Sequence, residues 1–482
     1  MASRGDIDFQ KVQPKLFEDW LTIPFEDSLD KTPKYIKHKT KGLASSGKFP
    51  VVDQGDSLIS GYIQEEDNVY KGKMPVIIFG DHTRILKYID FTFAVGADGT
   101  KILKPNNNFN SKFFYYYLNA LSIPDLGYSR HFKILKEVKI PLPPRSEQDR
   151  IVAKVDVLMA QVATMQKSLE RIPQLLKDFR QQVLTQAVTG KLTEEWREGK
   201  IFKSINLNQI ELRREQLKKE YAFKRRRKSY RHKLSVLPDI GNQSKGINEL
   251  FEIPKHWKWI TLDQVIWNVS DGPHYSPKYV KPESGKRFIS MRNVSFNGIN
   301  FSDSKYVSIE DHNKFIERGR PEKGDILYTK GGTTGIACLV GDDSDFSYWV
   351  HVALLKPISD FIDSKFIRNT LSSSLCYKQA QALTHGVSNQ DLGLTRMIYI
   401  CFPLPPLSEQ QETVRRIESL FKKADDIEAK YKTLKTKIDT LPQAILHKAF
   451  KGELVEQLPT DGDFKELLRE IKQLNTKKNT AK

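Results

Sequence analysis

The 482-residue chain has few cysteines and no long apolar run, and each shortage removes a class of function. Its three cysteines, Cys338, Cys376 and Cys401, lie apart with no CxxC spacing. That argues against a disulfide framework and against a thiolate zinc site, and leaves them as small buried apolar residues. The densest apolar stretch, Pro75-Val76-Ile77-Ile78-Phe79, is far below the ~20 residues a bilayer span needs, so no membrane association is expected. The opening residues, MASRGDIDFQKVQPK, lack the apolar core of a secretion signal, and the chain is expected in the cytoplasm. Catalytic signatures are missing as well: there is no GxxxxGK[ST], HExxH, GxSxG or GxGxxG, and no [DN]PP[FYW] tetrapeptide of the kind amino-methyltransferases use. Glu137-Val138-Lys139 has the ExK spacing of some nucleases but no acidic partner on an upstream strand. His82 and His274 have no ligand-spaced companions. No catalytic residue, no metal site and no cofactor bound by this chain are therefore expected.

Positive charge is abundant. Lys and Arg number 77 against 59 Asp and Glu, a net of +18, which favours a polyanionic partner such as nucleic acid. With 39% hydrophobic and 28% charged residues the chain has the composition of folded domains, and its length suggests about three of them. Arg213 to Lys233 holds eleven Lys/Arg and two Glu, either a solvated linker or a phosphate-contacting arm.

The strongest internal signal is a repeat. PLPPRSEQ (Pro141 to Gln148) and PLPPLSEQ (Pro403 to Gln410) agree at seven of eight positions at an offset of 262 residues. The same offset pairs Gln181 with Gln443, Leu184 with Leu446, Ala187 with Ala449, Gly190 with Gly452 and Leu192 with Leu454. Each copy predicts a long helix, with Ser146 or Ser408 as N-cap, Glu147-Gln148 or Glu409-Gln410 in the first turn, and Gly190 or Gly452 as the stop. Apolar residues recur at alternating spacings of 4 and 3, a heptad seam. In the first copy it runs through Ile151, Val155, Leu158, Val162, Met165, Leu169, Ile172, Leu176, Phe179 and Val183. In the second it runs through Ile417, Leu420, Ala424, Ile427, Tyr431, Leu434, Ile438, Leu441 and Ile445. Pro173 and Pro442 predict a kink or break near each. Burying one apolar side chain stabilises by about 1.5–3 kcal/mol, so the two seams are expected to cover each other. The packing residues are then Ile151, Val155, Leu158, Val162, Leu169, Ile417, Leu420, Ile427, Leu434 and Ile438.

A weaker match pairs Trp20, Ile23, Phe25 and Glu26 with Trp257, Ile260, Leu262 and Asp263 at an offset of 237, so the second globular half is 25 residues longer than the first. Both halves read as mixed α/β. Strand-like runs are Pro75 to Phe79, Tyr88 to Val95, Arg287 to Val294 and Asp325 to Tyr328, and amphipathic helices fall near Ser111 to Leu121 and Ser364 to Leu383. Polar loops beside these strands are the candidate binding residues. They are Asp81, His82, Thr83 and Arg84 in the first half, and Gly272, His274, Arg292, Asn293, Lys330, Gly331, Gly332, Thr333 and Thr334 in the second. Glycines let backbone N–H groups approach a phosphate or base edge, and the polar side chains supply hydrogen bonds.

Duplicated PLPPxSEQ, each followed by a long helix ending in TGKL or KGEL, together with FPVVDQG, ISGY and FGDHTR, resembles the specificity subunits of type I restriction-modification systems over essentially the whole chain. The resemblance implies two target recognition domains, each reading part of a split double-stranded DNA site and separated by two antiparallel coiled-coil helices in a pseudo-two-fold internal repeat. It also implies partners: two methyltransferase (modification) subunits and two ATP-dependent translocase/nuclease (restriction) subunits. S-adenosylmethionine, ATP and Mg would belong to those partners, and this chain would be non-catalytic. The organisation expected is recognition domain 1 at 1–144, helical scaffold at 145–199, basic linker at 200–255, recognition domain 2 at 256–406, second scaffold helix at 407–456 and basic tail at 457–482. Divergent halves suggest an asymmetric bipartite site. Two other classes are a restriction-methylation enzyme acting alone, and a coiled-coil assembly protein that binds nucleic acid without sequence choice.

Overall fold

The computed structural model describes residues 9–39, 41–96, 99–127, 129–224, 251–341, 345–386 and 390–461. The Arg225-Arg226-Arg227-Lys228 run and the tail beyond 461 lie outside them. The chain divides into two units, Met1–Arg171 with Tyr431–Lys482, and Ile172–Lys430. The division falls within the long helices.

In the first unit, β-branched and aromatic residues make Val76–Gly80 the central strand of an antiparallel sheet between Leu86–Ile89 and Thr100–Leu103, and all five residues of that strand are buried. A second sheet has the order Lys37–His38, Ala94–Gly96, Phe49–Val52, Gly61–Ile63, its first three strands running parallel. The run expected from Tyr88 to Val95 is two strands in two different sheets. Helix Ser111–Ala120 starts at Asn110, whose side chain accepts from the Lys112 and Phe113 N–H groups, and it buries Phe113, Phe114, Tyr117 and Leu118.

The second unit repeats this plan with additions. Ile326–Thr329 is central between Ala337–Leu339 and Val352–Pro357, with Ile266–Asp271 beyond. Gly285–Ile289 pairs parallel with Phe346–Tyr348 as Phe49–Val52 does with Ala94–Gly96. Arg287 to Val294 is not one strand, because Ser290 and Asn293 form a capping box that turns the chain at Met291–Asn293. The single helix expected near 364–383 is two, Ser364–Leu371 and Ser374–Leu383. Ser372 bonds back to the Arg368 carbonyl and Ser373 caps the second helix, so the serine run breaks the first. Helix Leu207–Lys224 occupies the start of the segment read as a linker. Ile210 is buried in the core of this unit, Arg214 donates to the Asp263 carbonyl at 2.9 Å, and Tyr221 packs on Trp267.

The duplication holds to the residue. Leu21–Pro24 pairs with Lys139–Leu142, and Lys258–Thr261 with Cys401–Leu404. The register is the same, with Leu21 opposite Leu142 and Lys258 opposite Leu404.

The long helices are Arg145–Glu170, Ile172–Val188 and Leu407–Phe450. The first two are separate because Pro173 withholds the N–H that would continue the ladder. Pro442 interrupts nothing: its helix runs through, held by Leu446, Ala449 and Phe450 in the core of the first unit. In that unit Gln166 donates to Asp439 and Arg150 to Asp461. In the second, Arg180 pairs with Asp425 and Glu428, and Leu184 packs with Ile417. Within each unit, residue numbers fall along one partner as they rise along the other.

Of the expected packing residues, Ile151, Val155, Val162, Leu169, Ile417 and Ile438 are buried, and Leu158 and Leu420 half-buried. Ile427 and Leu434 are not: they stay 50% and 47% exposed. Ile151 and Val155 also belong to the core of the first unit, with Phe113 and Phe450, and Ile417 packs with Val183, Leu184 and Ala187.

Candidate nucleic-acid interface

In the first unit, parallel strands Phe49–Val52 and Ala94–Gly96 end on the side where Gln54 and Gly99 both meet the loop after Val76–Gly80. Asp81 is buried. Its N–H donates to the Gly99 carbonyl at 2.8 Å, its Oδ1 accepts from the Phe132 N–H at 2.8 Å, and its carbonyl accepts from the His131 N–H at 2.8 Å. The His82 N–H donates to Gln54 Oε1 at 3.1 Å, and Thr83 Oγ1 donates to the Gln54 carbonyl at 2.7 Å. A Cβ on Gly80 would stand 2.1 Å from Thr83 Oγ1, so the loop folds this tightly only over glycine. Arg84 takes a left-handed φ of 65° and turns its guanidinium back, donating to the Ile123 carbonyl at 3.1 Å and to Asp125 at 2.7 Å. Of the four, Thr83 is exposed and Arg84 is a clasp on the neighbouring loop.

The second unit builds the same joint differently. Lys330, at the end of the central strand, is buried, its ammonium 3.4 Å from Asp271 and 3.2 Å from Asp391. The Gly332 N–H donates to the Gln390 carbonyl, and the Leu392 N–H to that of Lys330. A Cβ on Gly331 would meet His351 Nδ1 at 1.9 Å, and one on Gly272 the Tyr348 carbonyl at 1.8 Å. Burial lowers the His351 pKa, and the nearby Lys330 charge adds to this, keeping the ring neutral at pH 7. Thr334 is buried, accepting from Gln381 at 3.0 Å; Asn293 is buried in its capping box. Exposed are Gly332, Thr333, Arg292 and His274, the last 3.2 Å from Asp271. His274, Met291, Lys330, Gly332, His351 and Asp391 line a cleft of about 320 Å³.

The duplicated PLPPxSEQ has a structural role. Helix Arg145–Glu170 starts from Pro144, two residues earlier than expected, so Ser146 is not its cap and donates to Asp461 instead. Glu147 and Gln148 face inward. The Trp20 indole N–H lies 3.2 Å from both Glu147 oxygens, and that of Trp257 2.8 Å from Glu409 Oε2. Gln148 accepts from the Asn110 N–H and Gln410 from the Asp363 N–H, in each case the residue that caps the domain's helix. Lys112–Asp156 and Lys365–Glu418 repeat the next contact, both at 2.7 Å. The motif thus bolts each globular domain to its long helix.

The model of the type I restriction modification DNA specificity domain matches residues 18–174 and 240–436. The chain belongs to this family. Among relatives of this specificity-domain chain, the type I restriction enzyme EcoBI specificity subunit of Escherichia coli is 29% identical over 368 residues, covering 74% of this chain and 68% of the relative. The EcoDI specificity subunit of the same species is 31% identical over 341 residues, covering 67% and 64%. In fold the chain is similar to the HsdS subunit from Thermoanaerobacter tengcongensis, with a TM-score of 0.52 at 18% identity over 91% of this chain and 98% of that one. A chain from a structural study of complex assembly in the type I R-M system reaches 0.59 at 16% identity, over 91% and 100%.

Among the described residues of this family member, no group of three His, Cys, Asp or Glu side chains is placed to hold a metal ion. No described helix is long and apolar enough to cross a membrane. Burial pushes the Cys338 thiol up to about 11 and Cys401 to about 12, which leaves both unreactive. The sequence pattern alone did not single out Tyr275, Lys278, Tyr279 and Lys281, which are exposed on the loop after Ile266–Asp271. The alternation of aromatic and basic residues in HYSPKYVK was the available signal.

Proposed function

We propose that the chain is the DNA-reading subunit of a type I restriction-modification complex, each globular unit recognising one part of an asymmetric, split duplex site. The observation that carries this reading is the pair of globular folds joined to their helices by the same Trp–Glu and Gln–cap bonds. Two copies of one module whose strand-end loops differ suit two half-sites of different sequence. Exposed Thr83, His274, Arg292 and Thr333 are the groups that would reach base edges. Buried Asp81, Lys330 and Asn293 hold the loops in shape.

The helices, paired antiparallel, would form the coiled coil that spaces the two readers about a pseudo-two-fold axis. The opposed numbering at Gln166–Asp439 and Arg180–Asp425 supports that pairing. Two modification subunits bringing S-adenosylmethionine, and two ATP-dependent restriction subunits, would supply the chemistry in the cytoplasm.

Methylome sequencing of a host carrying the chain and its partners tests the reading, with an exchange of residues 256–400 for those of a relative. The expected result is a bipartite motif in which one half changes. A motif that changes in both halves, or no motif, overturns it.

A further inference from the structure

Residues 31–48 contain six lysines, Lys31, Lys34, Lys37, Lys39, Lys41 and Lys48, and no Asp or Glu. All six are exposed. Lys48 pairs with Glu66 at 3.3 Å, and none of the other five has an ion pair among the described residues. The backbone is anchored at residues 35–38. Tyr35 packs edge-on against Tyr70, His38 Nε2 donates to the Asn68 carbonyl at 3.2 Å, and Lys37–His38 is the edge strand beside Ala94–Gly96. Residues two apart on an extended chain share a face, so Lys37 and Lys39 point out where His38 points in.

The stripe runs to the reading end of the domain. Lys37–His38 is parallel to Ala94–Gly96, so Lys39 and Lys41 leave it at the end where the Gly99 carbonyl accepts the Asp81 N–H. One lysine is enough to keep an edge strand from pairing with another chain; five without counter-charge repel one another until an anion arrives. Lys31 to Lys41 spans at most about 35 Å of extended chain, the rise of about ten steps along one DNA strand. Among the described residues the second unit has no strand in this place: its sheet ends at Phe346–Tyr348.

We propose that Lys31 to Lys41 grips the phosphate backbone of duplex DNA flanking the half-site read by the first unit, fixing register without reading sequence. The inference rests on the DNA-reading role above, and the test separates the two. The full chain, assembled with its modification subunits, is measured on a duplex carrying the methylome-derived site and on a scrambled duplex, across salt concentrations. In K34Q/K37Q/K39Q/K41Q the slope of log K against log salt should fall by about 0.9 for each phosphate no longer neutralised, hence by up to about 3.6. Affinity should drop by the same factor for both duplexes, and the Lys→Arg counterpart should keep the wild-type slope. An unchanged slope overturns the proposal, as does a changed half-site preference or tighter binding of single-stranded RNA than of either duplex. A wild-type complex that fails to prefer the site duplex would overturn the specificity reading, while the slope still reports on the lysines.

Discussion

The Trp257 indole nitrogen lies 2.8 Å from the Glu409 carboxylate, 152 residues further along the chain. The equivalent Trp20–Glu147 pair differs in what surrounds it. Burial pushes Glu409 up, but hydrogen bonds from Arg197, His256, Thr193 and Trp257 outweigh it and hold the carboxyl below its usual range. Among the described residues Glu147 has no ion pair; burial dominates over the bonds from Gln457 and Trp20, and its pKa is raised.

The two carboxylates therefore respond to pH with opposite sign. Glu409 contributes stability above its unfolded pKa of about 4.3, lost as pH falls through its lower folded value. Ionised Glu147 costs stability, and that cost disappears as pH falls through its raised folded value. E409Q should destabilise the second unit at pH 7 by about 3 kcal/mol, because the buried Arg197 contact is left without its charge partner. E147Q should be close to neutral there. Urea melts of both variants at pH 7 and pH 4 check this, with the E409Q deficit shrinking at the lower pH. An equal loss in both variants would show that the surroundings of the two carboxylates do not matter.

Lys330 and Thr333 sit three residues apart and should separate stability from recognition. K330M leaves Asp271 and Asp391 facing each other without the ammonium and should cost about 3 kcal/mol. T333A should leave the melting curve unchanged and alter discrimination at one position of one half-site by about 1–3 kcal/mol. Thermal melts and competition binding on single-substituted duplexes measure the two effects. A specificity change in T333A confined to neither half-site would remove Thr333 from the interface.

The repeat and its helices were legible because seam spacing and PLPPxSEQ are local patterns that survive in one dimension. The purpose of the motif was not. Glu147 and Gln148 read as first-turn polar residues, and only the fold brings Trp20 and Asn110 to them from 127 and 38 residues away. Lys330 read as an exposed cation for the same reason: its counter-charges, Asp271 and Asp391, are far from it in sequence. Helix Leu207–Lys224 was hidden by its charge, although Ile210, Arg214, Leu217 and Tyr221 recur every three or four residues on the face that docks. Ile427 and Leu434 erred the other way, since periodicity names a seam but not how completely each position of it is covered.

Arg84 should act as a loop clasp. Its left-handed backbone costs about 1–2 kcal/mol that glycine would not incur, yet charge-assisted bonds to Ile123 and Asp125 are each worth about as much. R84A and R84G should both speed amide exchange across 123–127, with R84G retaining the tighter turn. Binding should weaken without a change in preferred bases, read by selection from a randomised half-site. A shift in the selected bases with unaltered exchange would make Arg84 a reader after all.

Arg180, paired with Asp425 and Glu428, marks where the two helices face each other and so where a spacer can be inserted without unpairing the seam. Seven residues placed before Arg180 and seven between Asp426 and Ile427 keep the alternation of 4 and 3. They lengthen both helices by about 10.5 Å at 1.5 Å per residue, or about three base pairs at 3.4 Å each. Methylome mapping should recover the same two half-sites with a spacer longer by about three base pairs. Five residues in each helix would instead turn the apolar stripe away from its partner, and that variant should melt lower. An active seven-residue variant with the original spacer would mean that the separation is set by the partner subunits rather than by these helices.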